Sequence, residues 1–166
     1  MLGAMQDFDL RVTHLIDHAA RETGSREIVT RWADGSESRT NWAGIRHDAL
    51  KMTQALRKLG IQQGDRIATL AMNHSRHLVS WYVAVGVGGV LHTINPRLFD
   101  DQLEYIVNHA EDRVLLYDAA FQPIVDRMKE RWTTVEHYVC YDSGDHSPAF
   151  EDWIAEQDGD FEWVTG

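Results

Sequence analysis

From Asn41 onward, the apolar positions Trp42, Ile45, Ala49, Met52, Leu56 and Leu59 recur at spacings of 3, 4, 3, 4 and 3. That period keeps one face of an α-helix on a core. Asn41 or Thr40 suits its N-cap, and Gly60 the left-handed position past its end. Upstream, Leu15, Ile16, Ala19 and Ala20 share one side of a shorter helix expected over Val12 to Thr23, with Thr13 as its cap and Gly24 just beyond. Between the two helices, Glu27 to Trp32 and Glu37 to Asn41 predict strands flanking Ala33-Asp34-Gly35-Ser36. The Asp-Gly pair supplies the positive φ angles of a hairpin turn.

Downstream the pattern switches to short apolar runs alternating with helical segments. After Gln63-Gly64-Asp65, Ile67 to Met72 has strand length and no polar face, as a strand buried on both sides of a parallel sheet requires. Ser75 is expected to cap a helix over Arg76 to Val85 whose apolar residues surround most of its circumference; Gly86, Gly88 and Gly89 close it. Val90 to Ile94 reads as the next strand, which Pro96 prevents from continuing. Asp100 opens a helix carrying Leu103, Ile106, Val107 and Ala110, and Val114 to Tyr117 follows as a strand. Pro123 suits the first turn of a helix with Ile124, Val125 and Met128, and Tyr138 to Tyr141 reads as a further strand. Ser147 or Pro148 starts a last short helix through Phe150, Trp153 and Ile154. The expected fold class is therefore α/β: a parallel-rich sheet with flanking helices, preceded by a β-hairpin. A helix without a wet face implies more neighbours than a short chain readily offers, so the isolated chain is expected to self-associate.

Composition narrows the partners. The 166 residues are 43% hydrophobic and 25% charged, ordinary for one folded core. Up to Arg131 there are 16 Lys and Arg against 17 Asp and Glu; beyond it there are nine acidic residues and no Lys or Arg. Residues 1–141 are thus expected to form an α/β scaffold and 142–166 an acidic linker. Singly scattered Arg side chains offer no basic face for nucleic acid. The N-terminus resembles no signal peptide, and the nearly uncharged run Leu78 to Leu91 is too short to span a bilayer at roughly 20 residues per crossing. One cysteine, Cys140, excludes an intramolecular disulfide, and a cytoplasmic location is expected.

Candidate chemistry is sparse. In Gly86-Val87-Gly88-Gly89 the third glycine of a dinucleotide fingerprint would fall at Leu91, and the cluster lies between helix and strand instead of strand and helix. Tight helix termination with close backbone packing fits better. His14 and His18, with Glu22 one turn on, and the pair His74 and His77 have metal-ligand spacings, though histidines on amphipathic helices are more often surface or half-buried polar groups. Cys140 lies in a predicted strand, where a buried thiol is the common outcome and a nucleophile the rarer one. His92, Asn95 and Arg97 stand at a strand exit, where open α/β sheets place ligand-facing loops; the alternative is that Asn95-Pro96-Arg97 only shapes a turn.

The phrases NHSRHL, GGVLHTINPRL and YIVNHAEDRVLLYD resemble the N-terminal region of AMP-forming acyl-CoA synthetases of the adenylate-forming superfamily, especially the medium- and long-chain fatty-acyl ligases. The resemblance runs from about Leu10 to Trp163. It implies that the chain is the incomplete N-terminal part of the adenylate-forming ligase fold. It also implies a two-step reaction, in which a carboxylate attacks the α-phosphate of ATP to give an acyl-adenylate and CoA thiol then displaces AMP. ATP, Mg²⁺ and CoA would serve the full-length enzyme, with a carboxylic, fatty acid as substrate and a homodimer as the expected assembly. The family's Ser/Thr/Gly-rich phosphate loop and catalytic Lys match nothing in this sequence. No catalytic, cofactor-binding or metal-ligating residue is therefore assigned, no cofactor is expected on this chain alone, and the chain alone is expected to be inactive. A self-standing α/β binding or dimerisation module remains the alternative.

Overall fold

Strands β1 (Glu27–Arg31) and β2 (Glu37–Asn41) pair antiparallel, with Glu27 opposite Asn41 and Arg31 opposite Glu37. The computed structural model describes residues 3, 8–142 and 150–165. In the hairpin turn only Gly35 takes a positive φ, 85°. Asp34 works through its side chain instead: its carboxylate accepts from Ser36 N at 2.9 Å and from Ser36 Oγ at 2.6 Å.

The second sheet is wholly parallel, in the order β4 (Val90–Thr93), β3 (Arg66–Leu70), β5 (Asp112–Tyr117), β6 (His137–Cys140). The α/β class and the parallel sheet expected from the alternation are both present. One face carries α1 (Val12–Thr23), α2 (Trp42–Lys58) and α3 (Ser75–Gly86) over Ile67, Val114 and Leu116. The opposite face carries α4 (Asp100–Ala110) and α5 (Gln122–Met128) over Ala68, Leu70 and Leu115. Layers on both sides explain why the two inner strands have no polar face.

Several local expectations shift. Thr13 lies inside α1 and is buried, while Arg11 takes the N-cap position without a side-chain bond. Gly24 sits at φ −55°, not in the left-handed region; its carbonyl accepts from Ala43 N at 3.0 Å, and the close passage of α2 leaves only 3.4 Å between an added Cβ and Ala43 Cβ. Asn41 caps α2 as expected, accepting from Gly44 N at 2.8 Å, and Gly60 turns the chain at φ 84°. His74, not Ser75, caps α3, because its Nδ1 reaches His77 N at 3.1 Å. Nor is α3 dry all round: Trp81 is 40% exposed. Ser147 and Pro148 lie outside the described residues.

The acidic stretch read as a linker is anchored over its described part. In α6 (Phe150–Ala155), Phe150 and Ile154 are buried in the core beneath α1 to α3. Gln54 Oε1 accepts from Gly159 N at 2.8 Å and its Nε2 donates to Asp158 Oδ1 at 2.6 Å. Trp163 then lies on Gly86, where a Cβ would come within 2.6 Å of Cζ3, and Val164 N donates to Gly86 O at 2.9 Å. Among the described residues no helix is long and apolar enough to cross a membrane.

Replacing Gly86 by Val forces Trp163 off α3. Overpacking of this kind costs about 1–3 kcal/mol, which urea unfolding of the chain would register as a lower midpoint. An unchanged midpoint would mean that Trp163 is not a structural anchor.

Candidate functional site

In open α/β sheets ligands sit outside the carboxyl ends of the strands, where neighbouring strands send their following helices to opposite faces. Here β3 leads into α3 on one face, and its neighbour β5 leads into α5 on the other. The switch point thus lies between the ends of β3 and β5. It opens into a cavity of about 420 Å³ whose walls include Trp32, Met72, Asn73, His74, Asp118 and Asp142.

The chain fills the mouth of this crevice with its own carboxylate. Asp118, the residue after β5, accepts from Met72 N at 2.7 Å and from His74 Nε2 at 2.8 Å. His74 Nδ1 accepts from His77 N, so the proton sits on Nε2 and points at Asp118. The His74 ring is stacked on Trp32 of the hairpin, 5.3 Å between centroids, and meets the edge of Tyr141 at 5.3 Å. His77 has the opposite tautomer. Its Nδ1 donates to Met72 O at 3.0 Å, which leaves Nε2 to accept from the Thr69 hydroxyl at 3.0 Å. Burial pushes the His77 imidazole below its usual range and so favours this neutral form.

Arg76 offers no spare charge to a ligand. It binds Glu151 with Nε at 2.7 Å and Nη2 at 3.1 Å, Asp142 at 3.0 Å, and lies 4.8 Å from the centre of the Trp32 ring. Asp142 also accepts from Ala119 N at 2.9 Å. A phosphate entering the crevice would meet three carboxylates, Asp34, Asp118 and Asp142, against Arg31 and an Arg76 that is already neutralised. Beside it runs a second cavity of about 430 Å³, with an apolar wall of Leu78, Trp81 and Tyr82 and with His77 and Thr93 at its rim.

The structure brings His74 and His77 together, but as a cap and a packed hydrogen-bonding pair. Among the described residues no three His, Cys, Asp or Glu side chains gather in a way that could hold a metal ion. Glu22 pairs with Arg21 at 2.6 Å, and His14 packs on Phe8 with ring centres 4.9 Å apart. Cys140 is buried, and burial pushes its thiol up, away from the thiolate a nucleophile needs. His92, Asn95 and Arg97 do not converge: His92 turns to Asp112 at 2.7 Å, while Asn95 Oδ1 accepts from Arg97 N at 3.0 Å and shapes the turn. Gly88 turns at φ 80°, and a Cβ on Gly89 would sit 2.8 Å from Asp65 O, which is the termination and close packing expected. Asp118 and Trp32 escaped sequence reasoning. The signal for Asp118 was an acid directly after an apolar strand; Trp32 gave none, since the hairpin reaches the crevice only through the tertiary fold.

A family model described as AMP-binding enzyme matches residues 16–163. A 3-methylmercaptopropionyl-CoA ligase from Ruegeria lacuscaerulensis is 48% identical over 98% of this chain and 32% of its own length. A medium-chain fatty-acid CoA ligase from Ectopseudomonas oleovorans is 39% identical over 98% of this chain and 31% of its own length. Among solved structures, a long-chain-fatty-acid-CoA ligase from Archaeoglobus fulgidus superposes with a TM-score of 0.82 at 19% identity, covering 98% of this chain and 33% of that one, a likeness of fold. The chain spans about a third of the length of the curated relatives it matches.

Because Asp118 ties β3, β5 and the α3 cap together, Asp118→Ala is expected to lower the unfolding free energy by about 1.5–3 kcal/mol, the scale of hydrogen bonds to a charged group. Exposed Glu162→Ala is the control, expected to stay within about 0.5 kcal/mol. Denaturant titration of both variants distinguishes this anchoring role from a dispensable one.

Proposed function

This chain belongs to the AMP-binding enzyme family, and from that premise we propose that the whole protein is an AMP-forming ligase joining a carboxylic acid to CoA at the expense of ATP. The observation that carries the reading is the family match over residues 16–163, supported by CoA-ligase relatives that align with nearly the entire chain. Within that protein residues 1–141 serve as scaffold, and 142–166 form an acidic connection anchored on it over residues 150–165. No catalytic, ATP-contacting or metal-ligating residue is assigned to this chain. Its strand-end crevice is filled by Asp118 and has three carboxylates against Arg31 and the paired Arg76, which supports assigning phosphate handling, Mg²⁺ and CoA to the remainder of the protein.

The proposed acid is a fatty acid. The name of the Ruegeria relative points to 3-methylmercaptopropionate as a second substrate reading. Both are small-headed carboxylates with apolar tails, and side-by-side assay of the full-length protein on medium-chain acids and this thioether acid separates them. We place the protein in the cytoplasm as a homodimer. A self-standing binding or dimerisation module is the competing reading for the chain itself, and it is favoured by the two core clusters that close both faces of the sheet within these 166 residues.

The test is carboxylate-dependent exchange of pyrophosphate into ATP. The full-length protein is expected to catalyse it and residues 1–166 alone to show none. Exchange by the short chain would overturn the assignment of the catalytic parts to the remainder; its absence from the full-length protein would overturn the ligase reading.

A further inference from the structure

Asp112 is a fully buried carboxylate that the strand-end crevice does not use. Its side chain is 0% exposed; Oδ2 accepts from His92 Nδ1 at 2.7 Å, and Oδ1 has no hydrogen-bond partner. Sheet irregularity places it there. Arg66 of β3 stands opposite Asp112 and Ile67 opposite Val114, so Arg113 is an extra residue in β5. Strict alternation would put Asp112 on the side of Val114 and Leu116, under α1 to α3. One extra residue flips it to the α4 face, where His92, Ala68 and Leu115 lie abreast.

His92 belongs to β4, a strand of four residues at the edge of the sheet, with β3 as its one strand neighbour among the described residues. Its side chain is 24% exposed, so the imidazole bridges solvent and the buried carboxylate. The other charged groups around the pair are Arg66 on β3 and Glu111 at the end of α4, which bind each other at 2.7 Å. His109 on the last turn of α4 is stacked on Tyr105, 5.2 Å away, and Arg113 is held by Asp65 and Glu136. Arg66 reaches Glu111 and backbone carbonyls and makes no hydrogen bond to Asp112.

We propose that His92 and Asp112 form a proton-dependent latch on β4, engaged while the pair holds one proton in addition to the Nδ1 hydrogen of His92 and loosened when that proton leaves. In the engaged state the pair is neutral. Loss of that proton to water leaves Nδ1–H on Oδ2 but strands one negative charge in the interior beside the unpartnered Oδ1. Burial pushes the Asp112 carboxyl above its usual range, against the hydrogen bond and field of His92 and the field of Arg66. A carboxyl held above its unfolded value contributes stability that is complete below that unfolded value and lost as pH rises through the folded one. The latch therefore opens toward alkaline pH. The part that yields is the edge strand and the Asn95-Pro96-Arg97 turn that follows it, since β4 carries His92 and is paired on one side, to β3.

Amide hydrogen exchange of the 166-residue chain between pH 5.5 and 9, corrected for intrinsic base catalysis and read beside the His92 ring NMR signal, tests the proposal. Protection at His92 and Ile94 is expected to fall by about tenfold or more over the range in which the pair loses its proton, while β5 amides keep theirs. Asp112→Asn, which removes the buried charge, is expected to give β4 protection that does not vary with pH. If the variant fails to fold, the wild-type comparison of β4 with β5 decides. Loss of the pair's proton without any change in β4 protection would overturn the proposal, as would equal loss in β4 and β5.

Discussion

Covering both faces of the inner strands β3 and β5 is the requirement that organises this molecule. Their residues are nearly all inaccessible, so neither side of the sheet can face water. The chain meets the requirement by sending α1 to α3 to one face and α4 with α5 to the other, in two separate core clusters. Opposite helix placement creates the switch point between the ends of β3 and β5, and with it a crevice at the carboxyl ends of these strands. The site is thus a by-product of burial, and what occupies it is a question of chemistry.

That chemistry is turned inward. A nucleotide-binding sheet leaves backbone N–H groups free at its strand ends to meet phosphate. Here Met72 N and His77 N are committed, to Asp118 and to His74 Nδ1. Stacking of His74 on Trp32 couples the hairpin to the same point, so one carboxylate holds β3, β5, the start of α3 and the β1–β2 ribbon in register.

Much of this was legible because it is local. The 3,4 spacing from Trp42 to Leu59, the Asn41 cap and the Gly60 turn follow from backbone geometry and short-range hydrogen bonds, and each is present. Strand order was not written locally, nor was the extra residue Arg113, because a bulge is defined only against its neighbour. For the same reason His92 read as a ligand-facing residue at a strand exit: its turn toward Asp112 depends on which face that bulge selects. Ser75 lost the α3 cap to His74 because the Asp118 bond, made 44 residues away, fixes the ring that accepts from His77 N.

The acidic end of the chain shows how a composition rule yields to pattern. Nine acidic residues without one Lys or Arg after Arg131 describe a segment that water should solvate. Yet Phe150 and Ile154 are four apart, the spacing that puts them on one side of a helical turn, and both enter the core. The charges on the other side are met by the body: Arg76 takes Glu151 and Asp142, and Gln54 takes Asp158. Trp163 completes the attachment by donating to Asp17, which also binds Arg46 at 2.6 Å, so its indole joins α1, α2 and α3 at the flat surface Gly86 leaves open. Like-charge repulsion among exposed carboxylates is screened within about 8 Å at physiological ionic strength, whereas two buried apolar side chains and an indole each contribute on the order of 2 kcal/mol. Burial wins, and the segment that composition assigns to solvent becomes a strap across the helical layer.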